Sequence, residues 1–284
     1  MKIEEFRHRK LPPFGKCVYC GIPTSETRLT DEHIVPLSLG GTNILQKASC
    51  ASCAVVTSKL ELHLARNIFG HYRVHANVAT RHPKKRPTVL PATIIVGKEP
   101  AQDLEFAIED HPYFTLLPVW KTPGMLAGEK PSADFGADEL HRFDFVPKHF
   151  RELLSLTESD SLNFKVPIKL DEDQFARALA KIAYCEAIGR YGLDGFERTT
   201  IIDFIFGKYP FAQHLVGGTT AVVPPPMPKN IDHAIMLYET PIESKNYVVA
   251  AVRLFANTGT PTHGMPWYLV VLGVRPEGSH PLDA

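Results

Sequence analysis

The sequence predicts an α+β protein in two parts. A cysteine-rich N-terminal unit reads as strand, turn, strand, helix, and a larger α+β part ends in an antiparallel sheet. Three observations carry this. Two Cys-x-x-Cys pairs, Cys17/Cys20 and Cys50/Cys53, bracket a turn-rich insert. A basic strip with two prolines, Arg81-His82-Pro83-Lys84-Lys85-Arg86-Pro87, interrupts the chain after them. Three apolar runs, Ala234–Tyr238, Tyr247–Phe255 and Trp267–Val274, lie close together near the C-terminal end. The division expected is 1–80 for the cysteine unit, 81–90 for a basic linker and 91–284 for an α+β domain of unknown role.

Residues 11–53 read as turns and short strands, with Leu11-Pro12-Pro13 leading in and Gly21, Gly40 and Gly41 marking turns. After Cys53, the run Ala54–Arg66 lacks Gly and Pro and has helical apolar spacing, ending near Gly70. The prolines hold residues 81–87 extended, as a linker or as a strip along a phosphate backbone. Thr93–Val96 and Tyr113–Leu117 read as strands, and residues 121–138 as loop. Asp171 is the expected N-cap of a long helix from Glu172 to about Tyr191, with Phe175, Leu179, Ile182 and Ala183 on its apolar face. Cys185 on that helix reads as a buried small hydrophobe. Thr199–Phe206 reads as a second helix and Val223–Pro228 as a rigid linker.

Composition sets bounds on function. The chain has 284 residues, 44% hydrophobic and 22% charged, an ordinary globular composition. No run reaches the ~18 apolar residues of a membrane span. No apolar leader follows Met1, and cysteines paired as metal ligands need a reducing compartment, so the expected location is cytoplasmic. Residues 1–90 carry 14 Lys and Arg against 6 Asp and Glu, a net charge of +8; the remainder carries 17 against 25, a net charge of −8. The positive bias falls on the cysteine unit, as a phosphate-binding surface requires. No Gly-x-x-x-x-Gly-Lys loop is present, so no ATP-driven motor is expected.

Two Cys-x-x-Cys turns complete a tetrahedral thiolate shell, which suits structural Zn²⁺ with Zn–S near ~2.3 Å. Between them lies Asp31-Glu32-His33-Ile34-Val35-Pro36. Phosphodiester hydrolysis needs a base for water and a cation for the charge that builds on phosphate. His33 suits the first role, and Glu32 supplies a carboxylate for Mg²⁺ or Mn²⁺. Asn43, after the Gly40-Gly41 turn, is positioned to hold His33 Nδ1–H and leave Nε2 for water. Lys84, Lys85 and Arg86 are the residues expected to touch the backbone of DNA.

These motifs resemble the HNH endonuclease family with its zinc-stapled ββα-metal finger: Cys17-x-x-Cys20, Asp31–Pro36, Gly40-Gly41-Thr42-Asn43, then Cys50-x-x-Cys53. The resemblance covers about residues 14–66. It implies that His33 is the general base, Glu32 a ligand of the catalytic metal and Asn43 the residue orienting the base. Two departures stand out. Ala54 occupies the position where many members carry the second metal ligand, and Glu61, two helical turns on, is the substitute expected here. The asparagine also falls earlier than is usual. The function expected is metal-dependent hydrolysis of DNA, with a homodimer as one route to cutting both strands. The alternative is a non-catalytic zinc-finger protein that binds nucleic acid or a partner, having lost the second ligand at Ala54. RNA in place of DNA is a third reading. His71, His75 and His82 read as surface groups of the basic stretch. His111, His141, His149, His214, His233, His263 and His280 show no ligand spacing.

Overall fold

The computed structural model describes residues 9–80, 82–157, 160–165, 169–219, 232–256 and 266–276. Strands β1 (Lys10–Leu11), β2 (Leu29–His33) and β3 (Ile44–Cys50) form a sheet in the order β1-β3-β2. β2 and β3 are antiparallel, with Glu32 opposite Leu45 and His33 opposite Ile44. Helix α1 (Ala51–His63) follows at once and continues as a π-helical segment, Leu64–Ile68, before α2 (Gly70–His75). The helix starts at Ala51 rather than after Cys53. Cys50, extended, is its N-cap, and this places Cys53 in the first turn. The free N–H groups and positive dipole end there favour thiolate charge.

The basic strip forms a single 3-10 turn, Pro83–Lys85, instead of an extended run. Proline at the first position of such a turn has its φ already set and needs no N–H. Arg81 lies outside the described residues, as do Val223–Pro228.

The middle of the chain holds β4 (Val89–Val96), β5 (Gln102–Ala107), β6 (Tyr113–Val119), β7 (Glu139–Phe145), α3 (Phe150–Leu153) and β8 (Leu162–Lys165). They make an antiparallel sheet β5-β4-β8 and a β6-β7 pair. Then come α4 (Glu172–Tyr191), α5 (Thr199–Ile205), α6 (Ala212–Leu215), β9 (Val216–Thr219), β10 (His233–Ile242), β11 (Lys245–Leu254) and β12 (Trp267–Val274). The last four strands form one antiparallel sheet, β10-β11-β12-β9, which contains all three predicted apolar runs. Antiparallel sheets and separate helices make the protein α+β, as expected. β9 escaped prediction because it contains Gly217 and Gly218. A Cβ there would fall 2.2 Å from Lys121 O and 2.5 Å from Trp120 O, so only glycine admits that backbone.

Helix α4 positions the site. Asp171 caps it as predicted, accepting Gln174 N–H at 3.0 Å. The burial is wider than one face, since every side chain from Ala178 to Ile188 is buried, Lys181 and Glu186 included. Such a helix lies inside a core. One buried cluster joins Val18, Tyr19, Leu45 and Leu60 of the N-terminal unit to Phe175, Leu179, Tyr184 and Ile188 of α4 and to Val252 and Val270 of the C-terminal sheet. The apolar core therefore crosses the strip at 81–90. At Gly189 an added Cβ would sit 2.6 Å from Leu11 Cδ1, which shows how closely α4 meets the N-terminal sheet. From the other side, buried His233 of β10 donates from Nε2 to Leu39 O at 2.8 Å and accepts Phe255 N–H at Nδ1. Burial keeps this imidazole neutral by lowering its pKa.

Candidate active site and zinc centre

The first Cys-x-x-Cys turn closes through Gly21 N–H to Cys17 O at 2.9 Å, with Gly21 at φ +78°. Val18 N–H reaches Ala48 O at 2.8 Å, which ties this turn to β3, and Cys50 N–H points at Cys17 Sγ, 3.4 Å away. The four sulfurs all lie within 4.8 Å of one another, with Cys20 and Cys50 3.6 Å apart. A tetrahedral shell with Zn–S near ~2.3 Å sets sulfurs about 3.8 Å apart, so the donor set fits structural zinc. All five cysteines, Cys185 among them, are free of disulfides. Cys185 is buried and accepts or donates with Tyr19 Oη at 3.2 Å, apart from the four-thiol cluster.

The loop after His33 turns back sharply. Ile34 N–H reaches Asn43 O at 3.0 Å and Gly41 N–H reaches Pro36 O at 3.1 Å. A Cβ on Gly41 would fall 1.9 Å from Val35 O, a backbone atom that cannot step aside. Gly41→Ala is expected to cost about 3 kcal/mol, read as a lower urea midpoint with an unchanged slope.

The structure brings Glu32 and Glu61 together, as a shared metal ligand set requires. What lies between them is the ammonium of Lys181. Its Nζ is 2.8 Å from Glu32 Oε1 and 2.7 Å from Glu61 Oε1. It also donates to the carbonyl oxygens of His33 and Ile34. Lys181 is 1% exposed and Glu32 5%, while the Glu61 side chain is 27% exposed. Burial alone opposes the charge on Lys181, but the carboxylates of Glu32 and Glu61 outweigh it and hold its pKa above the ordinary lysine value. For Glu32, burial raises the pKa and Lys181 and Tyr19 only partly offset it. The two shifts pull the shared proton in opposite senses. We favour the charged lysine, because four oxygens surround its nitrogen and two belong to carboxylates.

His33 and Glu32 are consecutive in a paired strand, so the pleat directs them to opposite faces. Glu32 faces α1 and α4, and His33 is half-buried. Asn43 is buried, and its Oδ1 accepts the Arg9 backbone N–H at 3.0 Å, which ties it to the chain entering β1. Ala54 lies in the second turn of α1 and offers no ligand atom. In the basic strip, Lys84 and Lys85 are exposed, whereas Arg86 is partly buried and donates to Val78 O.

Sequence reasoning missed Lys181. It lies 120 residues beyond Glu61, and nothing local marks it except a lysine one position before the apolar Ile182-Ala183 of a predicted helix face. Sequence reasoning also misplaced His71 and His75. Both are half-buried and packed with His111, which is fully buried.

The strand pair, the helix and the four-thiol cluster define a ββα unit whose donor set suits structural zinc. Residues 17–69 of the chain match the HNH endonuclease family, so an HNH unit lies at the N-terminus. No curated protein and no solved structure matches the chain. No helix among the described residues is long and apolar enough to cross a membrane.

Proposed function

We propose that this protein uses its HNH unit as a zinc-stapled scaffold that binds nucleic acid, and that it does not hydrolyse DNA through a divalent ion held by Glu32 and Glu61. The observation that carries this reading is Lys181, whose ammonium sits between both carboxylates. Mg²⁺ needs oxygens at about 2.0–2.1 Å and several waters of its own. A second cation beside a buried ammonium is repelled, and Glu32 is too deeply buried for a phosphate to reach an ion bound to it. Ala54 removes the remaining ligand position. Binding is supported by the +8 charge of residues 1–90 and by the exposed Lys84 and Lys85.

The second reading is the metal-dependent endonuclease, with His33 as base and Asn43 in support. The match of residues 17–69 to an endonuclease family favours it. One experiment separates the two. Zinc-loaded protein and His33→Ala are incubated with supercoiled plasmid, with and without Mg²⁺ or Mn²⁺, and binding to duplex DNA and to RNA is measured over a salt series. Binding without metal-dependent nicking is expected, with no difference between wild type and His33→Ala. Replacing Lys84 and Lys85 by alanine should reduce the slope of log K against log salt by about 2. Nicking that needs Mg²⁺ and disappears in His33→Ala would restore the nuclease.

A further inference from the structure

We propose that strand β7 (Glu139–Phe145) is a dimer edge, which pairs antiparallel with β7 of a second copy of this chain about Phe143. β7 bonds to β6 on one side, and those two strands make a sheet of their own. No strand among the described residues pairs with its other side. Such an edge presents a row of backbone N–H and C=O groups on which another strand can add.

Seven large apolar side chains are exposed among the described residues, and three of them fall within 140–146, so exposed apolar surface is concentrated on this edge. They are Leu140, Phe145 and Val146, the last one residue past the end of the strand. Leu140, Arg142, Asp144 and Val146 share one face of the ribbon by the alternation of a strand. The side chains of Arg142 and Asp144 are about half exposed, at 51% and 48%.

The order of residues is self-complementary. Outward from Phe143, Arg142 mirrors Asp144, His141 mirrors Phe145 and Leu140 mirrors Val146. In an antiparallel pair with a two-fold axis normal to the sheet, one residue stands opposite itself and its neighbours exchange partners. Centred on Phe143, each Arg142 faces the partner's Asp144, and each Leu140 faces the partner's Val146. Opposed unlike charges and apolar pairs both stabilise a ladder. Centring on Arg142 would oppose two guanidiniums, and centring on Asp144 two carboxylates. Charge on an edge strand commonly keeps other strands away; here its order selects one register. Arg142 already pairs with Asp144 of its own strand and lies 4.7 Å from the centre of the Phe114 ring. In the dimer these four charges alternate in sign around the axis. The strand lies outside residues 17–69, so the pairing does not depend on what the HNH unit does.

The test is sedimentation velocity of zinc-loaded, full-length protein at rising concentration, with the fold of each variant checked by circular dichroism. A dimer should form by about 100 µM, since one strand pair makes a small interface. Arg142→Asp and Asp144→Arg each set like charges opposite one another and should weaken dimerisation about tenfold or more. The double variant reverses both charges and should dimerise as the wild type does. An equimolar mixture of the two single variants again opposes unlike charges and should form a heterodimer. A wild type that stays monomeric at that concentration would overturn the proposal. So would a dimer that neither single variant weakens, or failure of both the double variant and the mixture to recover association.

Discussion

Lys181→Met should destabilise the folded chain by about 3–5 kcal/mol, the usual consequence of leaving a buried charge without its partner. For a protein of this size that is a fall in Tm of roughly 10 °C or more. Glu32 is the residue left exposed to the loss, since it is 5% accessible and Lys181 supplies its ion pair. Adding Glu32→Gln to Lys181→Met should recover much of the stability, because an amide tolerates burial better than a lone carboxylate.

The pH dependence has a defined sign. Lys181 has a raised folded-state pKa, so its contribution is complete below the ordinary lysine value and is lost only in strong alkali. Glu32 in the variant keeps a pKa raised by burial, so the variant is penalised least below about pH 4.3 and more as the pH rises through the raised value. Chemical denaturation at pH 4 and pH 7 checks this.

Lys181→Ala carries a further expectation. With the ammonium gone, two carboxylates face a vacated polar space, so millimolar Mn²⁺ should raise the Tm of this variant and leave the wild type unchanged. Equal responses would mean that the ammonium does not occupy a cation site.

Removal of zinc is the second large effect expected. Structural zinc contributes about 10–16 kcal/mol in small fingers, comparable to or larger than the 5–15 kcal/mol stability of an ordinary domain. Cys50→Ser breaks the shell at the residue that ends β3 and caps α1. The loss should not stay local. Val18 and Tyr19, beside Cys17, pack in the same cluster as Tyr184 and Ile188, and Tyr184 Oη donates to Val18 O. Chelation should therefore produce one cooperative transition, with near-ultraviolet tyrosine signals and far-ultraviolet helix signal lost together. A separate early transition confined to the finger would contradict the continuous core.

The zinc ligands, the finger's element order and α4 were legible in the sequence because each rests on local chemistry. The paired cysteines have fixed spacing, and Asp171 caps a helix that ends where Gly192 follows Tyr191. The three C-terminal strands were legible as apolar runs. β5 and β7 were not, since Gln102-Asp103-Leu104-Glu105 and His141-Arg142-Phe143-Asp144 carry too many charges to announce a strand. The site was legible only in part. Glu32 and Glu61 do meet, as helical geometry suggested, but the group they meet on comes from a distant helix. The packing of His71 and His75 against His111 escaped for the same reason. His71 and His75 are one turn apart, while His111 arrives through a turn 36 residues beyond His75.

The Lys181 contact also bears on how such a chain is inherited. Recombination that joined residues 1–80 to a new partner would part Glu32 and Glu61 from their ammonium, strip α4 from Leu11 and Leu45, and remove the histidine that holds Leu39. Two carboxylates of the finger depend on a lysine encoded far downstream, so the two halves are expected to persist and diverge as a single lineage.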